Sequence, residues 1–260
     1  MSTTDKLNGF GPLAGVKVVE LCEWVAAPAA VRCLSEMGAT VIKTEPLHGD
    51  AQRTQGPGFG CEKNDYEDPT FDLNNTNKDL VAINLKDEDE LVGMVQVDPD
   101  DKDDIILITR LGTALRFRLD TVSCTGRATA GVRGMDVGKD DEVRWFEIPK
   151  AGDMLFVLSD RGFGKRMLSD DVERQGRAGK GQKLLPMNKT GETGTQVAVC
   201  LNVTGAKSVR VEQKHGHTVL LNMDEIAVER RASKGQLLVN VLLDDVVQYG
   251  ALTAETKDEK

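Results

Sequence analysis

The sequence predicts a mainly β chain: about three blades of a propeller, preceded by a small α/β segment of strand-helix-strand order. Three observations predict it. The texture of the chain changes near residue 88, the second part repeats itself with a period of about fifty residues, and the sign of the charge reverses between the two parts.

The α/β segment occupies residues 1–87. Residues 16–21 (VKVVEL) read as an apolar strand, residues 27–37 as a helix stopped by Gly38 and Ala39, and residues 40–43 as a second strand. That order implies parallel strands joined by a crossover helix. Residues 45–78 are polar and rich in Gly, Asn, Asp and Pro, and are expected to form a long functional or mobile loop. Residues 80–85 read as a further strand.

From residue 90 the chain becomes a series of short β-rich runs, LVGMVQV, DIILITR, ALRFRL, EVRWFEI, MLFVLS and VAVCLN, separated by turn residues. The acidic residues 98–104 are expected to be a loop inside this region, which we bound at residues 88–250. Residues 251–260, ending in ETKDEK, are expected to be a disordered tail.

The β region repeats. Counting from Gly112, Gly162 and Gly216, the eighth residue is Asp (Asp120, Asp170, Asp224) and the tenth is β-branched (Val122, Val172, Ile226). The fifteenth is Arg (Arg127, Arg177, Arg231), the sixteenth is Ala (Ala128, Ala178, Ala232) and the nineteenth is Gly (Gly131, Gly181, Gly235). Each anchor glycine lies between two strand-like runs, as a hairpin turn with positive φ requires. A period near fifty made of short strands matches a four-stranded propeller blade. Three blades are present, with residues 91–97 left as a strand from a fourth. Turn geometry and packing account for the shared Gly, Ala and Asp. The arginines are different, because rotation-related blades would set them in a row along one rim, where they could track a phosphate backbone.

Charge supports that row. The whole chain carries a formal net charge of -9, which by itself opposes nucleic-acid binding. Residues 1–87 hold 8 basic and 13 acidic side chains, whereas residues 104–236 hold 22 basic and 17 acidic ones, so the positive charge is local. Aromatic residues make up only 4%, too few for base-stacking platforms. No apolar run reaches the roughly 18 residues of a membrane helix, and the start lacks a signal-peptide pattern, so a cytoplasmic protein is expected. Five cysteines, widely spaced and without a CxxC pair, argue for buried reduced thiols rather than disulfides or zinc. His215 and His217 flank Gly216 without converging ligands and read as an exposed hairpin tip. The glycines of QGPGFG at residues 55–60 lack the strand and helix context of a phosphate loop and read as a turn.

Within the second repeat, Gln175 to Gly181 reads QGRAGKG. This resembles the gyrase box, Q-R-R-G-G-K-G, of the C-terminal domain of bacterial DNA gyrase A subunits, with departures at Gly176 and Ala178. DDIILITRLGTALRF followed by GRATAGVRG, and the RASKG of the third repeat, look like neighbouring blades of the same domain in gyrase and topoisomerase IV A subunits. The resemblance implies a β-pinwheel, a propeller variant that bends or wraps duplex DNA with a positive rim and works with other topoisomerase subunits. It places Gln175, Arg177, Gly179, Lys180 and Gly181 at the box. Adding the basic residues around it gives Arg116, Arg127, Arg133, Lys165, Arg166, Arg174, Lys183, Arg231 and Lys234 as DNA-binding candidates. Gly176 in place of an arginine puts gyrase-strength wrapping in doubt and leaves topoisomerase IV-like bending as the alternative. Tyr66 and Tyr249 lie outside the family's arginine-tyrosine context, so no strand cleavage is expected from this chain alone.

Residues 12–87 resemble the N-terminus of class III CoA-transferases, formyl-CoA transferase-like and especially the 2-hydroxyacyl branch, in PLAGVKVVELCEWVAAPAAVRCLSEMGATVIKTEP and DYEDPTFDLNNTNK. That resemblance implies coenzyme A contact at Trp24, Val25 and Ala26. The family's nucleophilic aspartate lies beyond the point where the likeness stops, so transfer chemistry is not expected and no cofactor is required. Three functional readings follow. One is a sequence-nonspecific DNA-binding module; a second is a truncated CoA-transferase relative. The third is a chimera joined near LKDEDEL that has no evolved joint function. A three-bladed array also leaves open edges through which copies could self-associate.

Overall fold

The protein is described by a computed structural model covering residues 11–46, 49–54, 60, 69–83, 90–95, 97, 102–124, 131–188, 190–242 and 244–253. It divides into two compact units, one running to Met94 and one beginning at Val95. Expectations for Cys61, Tyr66, Arg127, residues 55–59 and the tail from 254 fall outside the described residues.

The first unit is a three-stranded parallel sheet in the order β1 (Lys17–Glu20), β2 (Thr40–Glu45), β3 (Asp79–Ala82). Helix α1 (Ala26–Glu36) crosses from β1 to β2, as the strand-helix-strand pattern requires. Pro28 is tolerated because it sits in the first turn, where backbone N–H groups have no helical partner. The helix closes where the N–H groups of Met37, Gly38 and Ala39 bond back to Cys33, Ser35 and Leu34 carbonyls, with Gly38 at φ 101°. A second helix, α2 (Pro69–Asn75), stands inside the stretch expected to be a loop. Proline at its first position and Phe71, buried beneath the Arg53 guanidinium 3.5 Å from its ring, explain it. Val19, Leu21 and Leu80 remain exposed, the uncovered apolar surface that a three-strand fragment leaves.

The second unit begins without the strand expected at residues 91–97. The described residues there are irregular, and Leu91 instead lines a cleft of the first unit. The first blade is β4 (Asp104–Thr109), β5 (Thr113–Arg118) and β6 (Val143–Glu147); the second is β7 (Met154–Ser159), β8 (Phe163–Leu168) and β10 (Val197–Asn202). The third is β11 (Ser208–Gln213), β12 (Thr218–Asn222) and β14 (Val247–Leu252), so the chain stays in a strand past residue 250, where the tail was expected to begin. These strands pair antiparallel within each blade, and Gly112, Gly162 and Gly216 turn the three hairpins at φ 76°, 79° and 88°.

Each complete blade takes its fourth strand from the next repeat. β9 (Gln182–Lys183) pairs with β5, and β13 (Gln236–Leu237) pairs with β8, giving sheet orders β6-β4-β5-β9 and β10-β7-β8-β13. The third sheet is β12-β11-β14.

Burial follows blade position. In β7, Leu155 and Val157 pack into a core shared with the first blade, while Phe156 and Leu158 pack into a core shared with the third. Both faces are covered, which is why MLFVLS is apolar without alternation. In β11 Val209, Val211 and Gln213 are buried while Arg210 is exposed, the alternation of a one-sided strand.

Candidate nucleic-acid interface

The loop from the third hairpin strand position to the borrowed strand, residues 169–183 in the second repeat and 223–237 in the third, carries most of the expected site. It opens with a 3-10 turn, Ser169–Asp171 or Met223–Glu225, whose closing residue Val172 or Ile226 is buried. The shared Asp170 accepts from the Gly152 N–H at 2.8 Å and from Arg116 Nη1 at 2.8 Å. The Gly152 N–H, followed by the Arg116 guanidinium, holds the Asp170 carboxyl below its usual range.

The repeated arginines join blades. Arg177 donates to the Arg133 carbonyl at 2.7 Å and to Thr121 O at 3.1 Å, and Arg231 donates to the Lys183 carbonyl at 2.8 Å. Arg133 and Lys183 occupy the same offset, twenty-one residues past Gly112 and Gly162, so one bond recurs between successive repeats. These guanidiniums therefore have a positioning role that the sequence reading assigned wholly to DNA. Gly181 and Gly235, at φ 75° and 74°, lie against the previous blade: an added Cβ would stand 2.5 Å from Ala114 O and 2.4 Å from Gly164 O.

Several candidates are not available to a ligand. Lys165 is fully buried, and its ammonium donates to Arg230 O at 3.0 Å, Arg231 O at 2.7 Å and Ser233 O at 2.7 Å. Its burial lowers its pKa to about 8. Lys165 thus braces the third box from beneath and is not a DNA contact. Arg116 pairs with Asp104 at 2.7 Å and with Asp170 at 2.8 Å and is largely covered. Arg166 donates to the Ile226 carbonyl at 2.8 Å and is half-buried. The three were expected to contact DNA as basic residues around the box, and a sequence does not show which face a neighbouring loop will cover.

Of the expected DNA contacts, Arg133, Arg174, Lys180, Lys183 and Lys234 are exposed. Arg174 also reaches Asp104 at 2.9 Å, and Lys183 Nζ donates to Leu111 O at 3.0 Å. Lys180 and Lys234 share an offset eighteen residues past their anchor glycines and have no ion pair among the described residues. Arg230 was missed. It is exposed, and it stands at the offset of Gly176, so the third box carries the arginine that the second lacks. Aligning RASKG one residue further towards its start would have found it. Gln175 and Gly179 are half-buried and shape the loop: Gln175 N donates to Arg116 O at 2.8 Å and Gly179 N to Gly176 O at 3.2 Å. Ala178, inside that turn, holds φ 65°, a conformation that favours glycine.

In the α/β unit, Trp24 sits at φ 70° with its N–H bonded to Asp50 Oδ1 at 3.1 Å, Val25 precedes α1 and Ala26 begins it. A cleft of about 340 Å³ lies at the carboxyl ends of the three strands, lined by Leu21, Glu23, Pro46 and Ile83 among others. Beside it four buried charges neutralise one another: Lys43 with Glu20 at 3.0 Å and Asp50 at 2.9 Å, and Lys78 with Glu20 at 2.7 Å. Burial pushes the Asp50 carboxyl up, but the Gln52 N–H, Lys43 and the Trp24 N–H outweigh it and hold it low. No group of His, Cys, Asp or Glu among the described residues could hold a metal. His215 and His217 are exposed at their hairpin tip, with His217 Nδ1 3.4 Å from Asp245. The thiols depart from expectation, because Cys200 is buried but Cys33 and Cys124 are exposed.

Residues 103–150 and 153–194 match the family described as DNA gyrase C-terminal domain, beta-propeller. The second unit is a β-pinwheel of the gyrase A C-terminal type. The DNA gyrase A subunit of Deinococcus deserti is 35% identical over 191 residues, 72% of this chain and 23% of that protein. The crystal structure of the C-terminal domain of DNA topoisomerase IV has the same fold as the pinwheel, with a TM-score of 0.60 at 23% identity over 67% of this chain and 53% of that one. Residues 13–95 match CoA-transferase family III. There, (R)-2-hydroxy-4-methylpentanoate CoA-transferase of Clostridioides difficile is 47% identical over 77 residues, 30% of this chain and 19% of that protein. The chain spans about a quarter or less of the length of these relatives. Among the described residues no helix is long and apolar enough to cross a membrane.

Proposed function

We propose that the pinwheel binds and bends duplex DNA without reading its sequence, in the cytoplasm, and acts on DNA topology only together with catalytic topoisomerase subunits that this chain does not supply. The observation that carries the reading is the pair Lys180 and Lys234. They are exposed, without ion pairs among the described residues, and at one offset in successive blades whose arginines are already bonded to backbone. Cations repeated with the blade suit a phosphate backbone, which repeats too, and need no base contacts. Arg230 adds a third charge in the box that completes the double arginine.

The test is duplex affinity measured against salt for the whole chain. Lys180→Ala and Lys234→Ala are each expected to weaken binding equally on unrelated sequences and to reduce the salt slope by about 0.9. Negligible affinity at low salt would refute the reading. A second reading, coenzyme A binding by the α/β unit at Trp24, Val25 and Ala26, is favoured by the cleft at the carboxyl ends of its strands. Titration with coenzyme A in the same buffer distinguishes it: micromolar coenzyme A affinity without DNA affinity would reverse the preference.

A further inference from the structure

The pinwheel uses its borrowed strands unevenly. Residues twenty to twenty-two past each anchor glycine are Val132–Gly134, Gln182–Leu184 and Gln236–Leu238. The second and third of these segments lie on β5 and β8 of the preceding blades, and Leu184 N and Leu238 N each donate to the anchor carbonyl there, Gly112 O and Gly162 O, at 2.8 Å. The first segment pairs with no strand among the described residues, although Gly131 before it holds φ 75°, the same as Gly181. Arg133 O accepts from Arg177 of the following loop, as Lys183 O does from Arg231, and Gly134 O accepts from the Ala178 N–H. An added Cβ at Gly131 would meet no atom within 4 Å, whereas at Gly181 and Gly235 it would strike the neighbouring blade.

The matching vacancy is in the third blade. β12 is the edge of its sheet. An added Cβ at Gly216 meets no atom within 4 Å, while at Gly162 it would lie 2.0 Å from Val239 O of the borrowed strand. Gly164, two residues past its anchor, pairs with Gln236 of the borrowed strand, as Ala114 pairs with Gln182. Thr218 occupies the same register in β12 and is exposed. Among the described residues, one segment without a sheet and one sheet edge without a strand are therefore left over, in the first and third repeats, and three blades are fewer than the roughly four or more of a closed ring.

We propose that residues 132–134 of one copy complete the third blade of a second copy, pairing with β12 in the register that β9 and β13 use. The contact is heterologous, head to tail, so association grows with concentration into chains or a ring rather than stopping at a symmetric dimer. It does not depend on DNA binding, and its test contains no DNA.

Light scattering of the size-separated full chain, over a concentration series, should give masses above the 28.3 kDa of one chain. Thr218→Pro removes only an N–H that faces the open edge and leaves the ladder to β11 intact, so it should give a folded monomer. Thr218→Lys should do the same by placing charge on the edge, and serves if the proline variant misfolds. Val132→Pro, which blocks the donor strand, should also be monomeric. Mixing Thr218→Pro with Val132→Pro restores one intact donor and one intact acceptor, and a one-to-one complex and nothing larger should form. A wild-type chain that remains at single-chain mass throughout overturns the proposal. So does association that survives the β12 variants, or a mixture that stays monomeric while the wild type associates, the outcome expected of edge-to-edge pairing.

Discussion

Replacing Lys165 with Met separates the buried brace from a surface charge. Methionine keeps most of the aliphatic length but removes an ammonium that donates to three backbone carbonyls at 3.0, 2.7 and 2.7 Å. Arg230 O keeps the Ser233 N–H at 3.0 Å, so two half-buried carbonyls, those of Arg231 and Ser233, lose a donor at about 1–3 kcal/mol each. Against this, the variant no longer buries a charge. A pKa lowered from 10.5 to about 8 corresponds to roughly 3 kcal/mol against the charged form. The difference is a loss of about 1 kcal/mol, a measurable part of the 5–15 kcal/mol typical of a folded domain. Urea unfolding followed by Trp145, which packs against the core between the first two blades, should show it. The pH dependence gives a second readout. Because the folded pKa lies below the unfolded one, the unfolded chain holds more protons between about pH 8 and 10.5, so wild-type stability rises with pH across that window. In Lys165→Met that rise is absent. The variant's salt slope for DNA should match the wild type at temperatures where both are folded. A stability change below about 0.5 kcal/mol, or a salt slope reduced by about 0.9, would refute the buried role and return this lysine to the phosphate backbone.

Other expectations follow from the same geometry. Ala178→Gly relieves a left-handed alanine at φ 65° and should raise the unfolding free energy by about 0.5–1 kcal/mol, less whatever the glycine gains in the unfolded chain. The Asp170 carboxyl is held low by the Gly152 N–H and Arg116, so its contribution is present above the ordinary aspartate pKa and is lost as the pH falls through that value and below. Asp170→Asn should flatten this part of the acid limb in urea midpoints measured from pH 7 to pH 3. Iodoacetamide followed by mass spectrometry should label Cys33 and Cys124 in the native protein and spare Cys200, which is fully buried and whose thiol burial pushes far above its usual pKa.

The sequence by itself determined the repeat, and with it most of the architecture. Anchor glycines about fifty residues apart, each between apolar runs, already specify three hairpins, because hairpin turns select glycine and strands of this length select alternation or full burial. The crossover of β1, α1 and β2 was equally legible from local patterning. Helix α2 was not, since its seven residues carry too little periodicity to stand out from a polar stretch. Residues 91–97 misled because an apolar run suits a strand or a packed segment equally, and only contacts with the first unit decided for Leu91.

The tertiary structure alone decided which basic residues are free. Lys165 and Lys180 are alike as letters, both in a basic stretch, yet one lies under the next repeat's loop and the other points to solvent. The reason is that the fourth strand of each blade is borrowed across repeats, a non-local pairing that no window of sequence displays. The same exchange turned the repeated arginine from an expected row of surface charge into an inter-blade bond, and left one donor strand and one open edge unmatched.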